Sequence, residues 1–305
     1  MSDSAETNKR LIGVEISSKS LHIVCLDSEN KIIEFETYTF GDEGEIISQV
    51  VEYTQSFISR NGQCEKIGVA VSGLIDRKTN RVRLSNRNPH HVNLDLAGEL
   101  KKSLNIEVVL ENDANAAAFG EFKLGAGLGS ENMFFATLGD GVGGAIILGG
   151  KLWRGASGYA GEFGFTAIDT EGTRLENVAS EAGIIRRINN RLVQDQSSSL
   201  GSIENITIAD VVREANSGDE FAQMMLQRTG NFVGIATANV INFLNIERIV
   251  FGGTVMLAEN HVLNSIIESA KNLSFEPCFE TTNIFTSELG DKAAAIGVAL
   301  LASAE

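Results

Sequence analysis

Proline is almost missing from this chain: 305 residues carry only Pro89 and Pro277, against 31 glycines. That imbalance points to regular elements joined by tight, glycine-bearing turns. Cysteine is nearly as scarce. Cys25, Cys64 and Cys278 are odd in number and far apart, which excludes a disulfide framework and a zinc site at ligand spacing. They read as reduced thiols in a cytoplasmic protein. Basic residues are outnumbered, 25 Lys and Arg to 40 Asp and Glu, giving a formal charge of −15. Nucleic-acid binding rests on neutralising phosphates with Lys and Arg, so this balance argues against such a partner. No apolar run approaches the length of a membrane span, so no membrane is expected. The start, residues 1–9, is polar and lacks the apolar stretch of a signal peptide. What is abundant is apolar: 43% hydrophobic content can fill a large core, and the length fits two domains.

Hydrophobic patterning gives a coarse map. Leu11 to Ile16, Leu21 to Leu26 and Lys31 to Phe40 read as a three-stranded meander. Apolar residues at Ile46, Ile47, Val50, Val51, Phe57 and Ile58 predict a helix over Glu45 to Arg60. A strand at Ile67 to Val71, a helix at Leu96 to Leu104 and a strand at Ile106 to Leu110 follow. This order belongs to a mixed α/β domain. A second β-rich unit begins at Met133, with strands at Phe134 to Leu138 and Ala145 to Leu148, then Lys151 to Arg154. Helical patterns cover Glu181 to Leu192 and Ile208 to Leu244. Ile249 to Phe251 is a strand, and Asp291 to Ala304 a small-residue helix. Trp153 and the phenylalanines read as core, and His22 and His261, in apolar surroundings, as structural. His90-His91 reads as an exposed loop pair.

Chemistry concentrates in a few places. In Glu111 to Glu121, an apolar run meets Asn112-Asp113 just before an alanine-rich helix former. Backbone N–H groups and the helix dipole favour a charged carboxylate there. Such an aspartate can orient a hydroxyl and take its proton, or can be a plain N-cap. Gly139-Asp140-Gly141-Val142-Gly143-Gly144 satisfies the dinucleotide spacing, yet a strand rather than a helix follows it. It therefore reads as a hairpin whose turn can hold phosphate on successive N–H groups. Ser17 to Ser20, with Glu15 just before, is a second such turn. Gly252-Gly253-Thr254 is a third loop at a strand end. Together they suit a nucleotide held between two domains.

Taken in order, these segments resemble the ROK sugar kinases, within the actin and hexokinase ATPase superfamily. Glu111-Asn112-Asp113-Ala114-Asn115-Ala116-Ala117 is similar to the family's E-N-D-x-N-A-A segment. Gly150 to Gly155 and Ala160 to Gly164 resemble G-K-L-x-R-G and A-G-E-x-G. Val71 to Asp76 resembles a strand end of that family, and Leu289 to Leu301 its closing helix. The resemblance implies an α/β, two-domain actin/hexokinase-like (ribonuclease H-like) fold with a cleft. The N-terminal domain would take residues 1–117 with 289–305, and the C-terminal domain 118–288. Asp113 would be the general base, with Gly73, Asn86, Asn112, Glu162 and Glu176 binding the sugar. Glu15, Ser17, Ser18, Lys19, Gly139, Asp140, Gly141, Gly252 and Gly253 would meet ATP, with Mg²⁺ reached through Glu15. A homodimer is implied as well.

The departures from the family are specific. Phe165 replaces a histidine that helps bind sugar and zinc, and Asp169 to Arg174 replaces the cysteine-rich zinc loop, so no zinc is expected. Arg174 is read as bracing that loop through a carboxylate or as a solvated surface residue. Glu15-Ile16-Ser17-Ser18-Lys19-Ser20 stands where the family has D-x-G-G-T-K, and Asp140 replaces a threonine. The family also contains repressors with an N-terminal DNA-binding domain, for which the start of this chain leaves no room. Two readings follow. One is an ATP-dependent kinase of a hexose or amino-hexose, resembling glucokinase. The other is a non-catalytic sugar-binding protein with altered phosphate loops.

Overall fold

A computed structural model describes residues 10–17, 19–41, 46–62, 64–85, 92, 95–193 and 197–304. The chain divides into two compact units. The first is drawn from Met1–Leu128, Leu152–Ala160 and Leu289–Glu305, the second from Gly129–Lys151 and Gly161–Glu288.

In the first unit, β1 (Leu11–Ile16), β2 (Ser20–Leu26) and β3 (Ile32–Thr39) form the expected meander. Helix α1 (Ile46–Asn61) leads to β4 (Lys66–Val71), which lies parallel to β1. A small hairpin, β5 (Leu74–Asp76) with β6 (Arg81–Leu84), comes next. It is too short, and too charged at Arg81 and Arg83, to show as a periodic pattern. Helix α2 (Leu96–Leu104), β7 (Glu107–Asn112) and α3 (Asp113–Leu124) complete the run, and the sheet order is β3-β2-β1-β4-β7. Alternation along β1 explains both faces. Ile12, Val14 and Ile16 join a core with Val50 and Phe57 of α1 and Leu96 and Leu100 of α2. Gly13 points the other way, toward the closing helix, Ala293–Ala304.

That closing helix touches its neighbours backbone to backbone. A Cβ on Gly13 would run into the carbonyl oxygen of Ala295, and one on Gly68 into that of Val298. Against α3 the same holds both ways: Gly297 abuts the carbonyl of Ala116, and Gly120 that of Ala293. Glu121, fully buried at this seam, accepts the backbone N–H of Ala126 at 2.9 Å and of Leu289 at 2.8 Å. These contacts bring all of α3 into the first unit, beyond the boundary at Ala117 read from the sequence.

The second unit holds β8 (Met133–Leu138), β9 (Val142–Leu148), β10 (Lys151–Leu152), α4 (Glu176–Ala179), α5 (Glu181–Leu192), α6 (Ile208–Asn216) and α7 (Glu220–Leu244). Then come β11 (Arg248–Gly252), α8 (Asn260–Leu273), α9 (Glu276–Glu280) and β12 (Asn283–Thr286). Its sheet order, β10-β9-β8-β11-β12, repeats that of the first unit strand for strand. Antiparallel partners flank the first two strands and parallel ones follow, so both units are α/β with mixed sheets.

Several sequence expectations change. The glycine loop shrinks to residues 139–141, because Gly143 and Gly144 pair with Thr137 and Ala136 in the sheet. The pattern from Ile208 to Leu244 is two helices: the chain turns at Gly218 (φ +98°), and Asp219 caps α7 by accepting from Ala222 N–H. The closing helix begins at Ala293, after a 3-10 turn at Gly290–Lys292. Trp153 is not core, being 48% exposed, and Phe243 is 88% exposed. Among the described residues no helix is long and apolar enough to cross a membrane.

Substituting Gly297→Ala would force the closing helix off Ala116. Overpacking of this kind costs about 1–3 kcal/mol, and backbone on both sides puts this site at the upper end. The chemical-denaturation midpoint should fall accordingly, whereas Gly201→Ala, with open space beside it and no positive φ, should shift it far less.

Candidate functional site

The strand-to-helix junction at β7–α3 resolves the double reading of Asn112-Asp113. Asn112 is the cap: its backbone is extended (φ −66°, ψ 143°) and its side-chain oxygen accepts from Asn115 N–H at 3.1 Å. Asp113 is the first helical residue, so it does not cap. Its Oδ1 accepts from Ala114 N–H at 2.9 Å and from the Asn112 amide at 3.0 Å. The same amide donates to the Gly73 carbonyl at 3.0 Å, which ties the turn after β4 to this junction.

Glu111, immediately before, had no role in the sequence reading and proves central. Only 3% of its side chain is exposed. Oε1 accepts from Asn112 N–H at 2.9 Å and from the Asn115 amide at 3.0 Å. Oε2 takes Arg77 at 3.1 Å and Arg154 through Nε at 2.9 Å and Nη2 at 2.6 Å. A buried carboxylate needs such partners, since burying a charge unpaired is costly. A glutamate ending the apolar run Val108 to Leu110 was the available signal. Arg154 also seats the segment 152–160 on the first unit, where Arg83 meets the Tyr159 hydroxyl at 3.5 Å.

Glu15, one residue before the end of β1, lies close enough to Asp113 for their charges to interact. Burial, then the negative charges of Asp113 and Asp291, push its carboxyl up to about 8. His22, expected in apolar surroundings, is instead in a polar chain. Its Nδ1 lies 3.0 Å from the Asp291 carbonyl and 3.5 Å from Glu15, and its Nε2 3.1 Å from Ser20 Oγ. Ser20 Oγ in turn lies 2.9 Å from Ser17 Oγ. Lys19 is exposed. His261, the other histidine read as structural, meets Asn216 near the surface at 3.2 Å.

In the second unit, Gly139-Asp140-Gly141 turns between β8 and β9, with Asp140 exposed. Gly252 and Gly253 end β11 alongside it. Gly253 (φ +90°) lies so close that a Cβ there would run into the Leu138 carbonyl. The start of α5 joins both loops: Glu181 N–H donates to the Gly139 carbonyl at 2.8 Å, and its carboxylate accepts from the Thr254 hydroxyl. Glu176 opens α4 and accepts from Val142 N–H at 3.1 Å. Glu162 precedes a 3-10 turn, Phe163–Phe165, whose Gly164 packs against Glu176. The loop from Asp169 to Arg174 is a self-contained hairpin, bridged between Ala167 and Arg174. Arg174 is exposed, as its reading as a surface residue has it, and its guanidinium lies 4.5 Å from the centre of the half-exposed Phe165 ring. Ser18, Asn86 and His90-His91 lie outside the described residues.

Within the first unit, then, Glu15, Gly73, Asn112 and Asp113 gather, joined by Ser17 through the polar chain. Within the second, Gly139, Gly141, Gly252 and Gly253 form one cluster, and Glu162 and Glu176 another. A profile of the ROK family matches residues 11–305. The chain belongs to the ROK family. It is 29% identical to a glucokinase of Thermotoga maritima, over 95% of this chain and 96% of that one. It is 27% identical to a xylose repressor of Caldicellulosiruptor bescii, over 94% of this chain and 76% of the repressor. A ROK glucokinase from Streptomyces griseus, solved with glucose and AMPPNP, superposes with a TM-score of 0.84 at 26% identity, covering 97% of this chain and all of the other. This ROK chain thus shares the two-domain actin/hexokinase-like fold with both catalytic and regulatory relatives.

Two outcomes test the junction. Glu111→Gln strips the charge facing two arginines; breaking a buried pair costs about 3–5 kcal/mol, and the partly exposed arginines reduce this to about 2. Urea denaturation should report it. Glu15 binds a proton in the native state that the unfolded chain, with a value of 4.5, has released. Its contribution is therefore fully present below pH 4.5 and is lost as pH rises through about 8. The melting temperature should fall across that window, and Glu15→Gln should flatten the fall.

Proposed function

We propose that this ROK protein transfers a phosphoryl group from ATP to a hydroxyl of a hexose or amino-hexose, with Asp113 as general base. The observation that carries this reading is the division of labour at the β7–α3 junction. Asn112 caps the helix, which leaves the Asp113 carboxylate oriented by Ala114 N–H and the Asn112 amide. A charged, fixed carboxylate can take the proton of an attacking hydroxyl, a contribution of about 10²–10⁴ in rate. A sugar is all hydroxyls, so its site needs acceptors and amides, the part that the family resemblance assigns to Gly73, Asn86, Asn112, Glu162 and Glu176. The nucleotide would use the adjoining loops of Gly139-Asp140-Gly141 and Gly252-Gly253, where absent side chains allow close backbone approach. Lys19 adds a positive charge for its phosphates.

Among the described residues no three His, Cys, Asp or Glu side chains gather as metal ligands. Magnesium needs no such cage, since it is commonly held by one or two carboxylates together with substrate phosphates and water. Glu15 fits that part once a cation displaces the proton that burial and its acidic neighbours favour. Bound with the nucleotide, the ion would neutralise phosphate charge.

A second reading, a sugar-responsive regulator without turnover, is favoured by one observation: the hydroxyl of Ser17 accepts the N–H groups of its own loop. One variant separates the readings. Asp113→Asn should keep the sugar-dependent rise in melting temperature, because the amide preserves shape, while ADP release with MgATP and sugar drops at least a hundredfold. Wild-type protein that binds sugar and releases no ADP would leave the regulator.

A further inference from the structure

Each unit turns back after its first strand, between Ile16 and Leu21 in the first and between Leu138 and Val142 in the second, and the two turns differ in length and in what fills them. In both, the turn's first N–H is held within the turn: Gly139 N–H by the Gly141 carbonyl at 2.9 Å, and Ser17 N–H by the Ser20 carbonyl at 2.9 Å. In the second unit both of those residues are glycine, so no side chain competes for the backbone donors. In the first unit Ser17 Oγ accepts from Lys19 N–H at 3.2 Å and from Ser20 N–H at 2.9 Å. Hydrogen accounting shows that this oxygen is committed. A carbonyl only accepts, so His22 Nδ1 carries the hydrogen donated to Asp291 at 3.0 Å. In the neutral ring Nε2 then accepts the Ser20 hydroxyl at 3.1 Å. The Ser17 hydroxyl donates to Ser20, at 2.9 Å to either its carbonyl or its hydroxyl oxygen. That leaves the lone pairs of Ser17 Oγ for the two backbone donors.

We infer that Ser17 is a specificity-determining residue: its hydroxyl stands in the first turn where a phosphate oxygen would otherwise accept from Lys19 and Ser20 N–H. A nucleotide must displace it or forgo those donors, so the glycine turn of the second unit provides most of the backbone contact to phosphate. This inference rests on the nucleotide reading above, and it makes Ser17 a brake on nucleotide affinity rather than a ligand.

The test is calorimetric titration with magnesium–AMPPNP, beside titration with the sugar alone. Ser17→Ala frees two donors, and at about 0.5–1.5 kcal/mol per hydrogen bond the nucleotide should bind about tenfold more tightly. Ser17→Gly, which leaves no side chain at this position, should do the same and serves if the alanine variant folds poorly. Ser20→Ala cuts the link to His22 yet keeps the Ser17 contacts to backbone, and should stay within about twofold of wild type. Sugar affinity should hold in all three. Unchanged or weaker nucleotide binding by both Ser17 variants, with wild type binding measurably, overturns the inference and leaves the kinase reading standing. Absence of nucleotide binding in wild type and variants alike, with sugar binding intact, overturns both.

Discussion

Backbone contact between the closing helix and its neighbours is the constraint on which the first unit depends. Gly13, Gly68, Gly120 and Gly297 admit the helix to distances that any Cβ would forbid. Four things follow from that approach. β1 and β4 are held from the face opposite α1 and α2. Helix α3 is fixed at its first and last turns. Asp291, at the entrance to the closing helix, comes close enough to Glu15 for the charges to interact. Asp113, at the start of α3, acquires a defined position relative to both. The chemistry at the junction is thus set by a seam of small residues that take no part in it.

On that frame, charge is apportioned with some economy. Glu111 holds two arginines and accepts from the Asn112 N–H, which fixes the peptide next to Asp113. Glu121 performs the same service for backbone N–H groups at the other end of α3. Glu15, crowded by two like charges and by burial, is held in its neutral form at pH 7. The second unit repeats the strand order, and its turn after the first strand carries Gly139 where that of the first unit begins with Ser17.

Much of this was legible in the residues. Short apolar, β-rich runs marked β1, β2 and β8, which are buried along most of their length, and helical spacing marked α1 and α5, where one buried face leaves a period in the sequence. The resemblance of E-N-D-A-N-A-A and A-G-E-F-G placed the candidate site. Other features left no local trace. The role of Glu111 depends on Arg77 and Arg154, which are far away in sequence. His22 looked apolar because its immediate neighbours are Leu21 and Ile23, whereas its partners come from Ser20 and Asp291. Asn112 and Asp113 were equally good caps by residue type, and only backbone dihedrals separate them. Arg174 found an aromatic ring, a partner that charge pairing alone does not suggest.

The central claim is that a phosphoryl group reaches a sugar hydroxyl deprotonated by Asp113. Mass spectrometry of reactions containing wild-type protein, MgATP and a panel of hexoses and amino-hexoses tests it most directly. The account predicts that at least one sugar gains a single phosphoryl group, with ADP formed in equal amount. Sugars that raise the melting temperature yet are recovered unmodified in every reaction would contradict it.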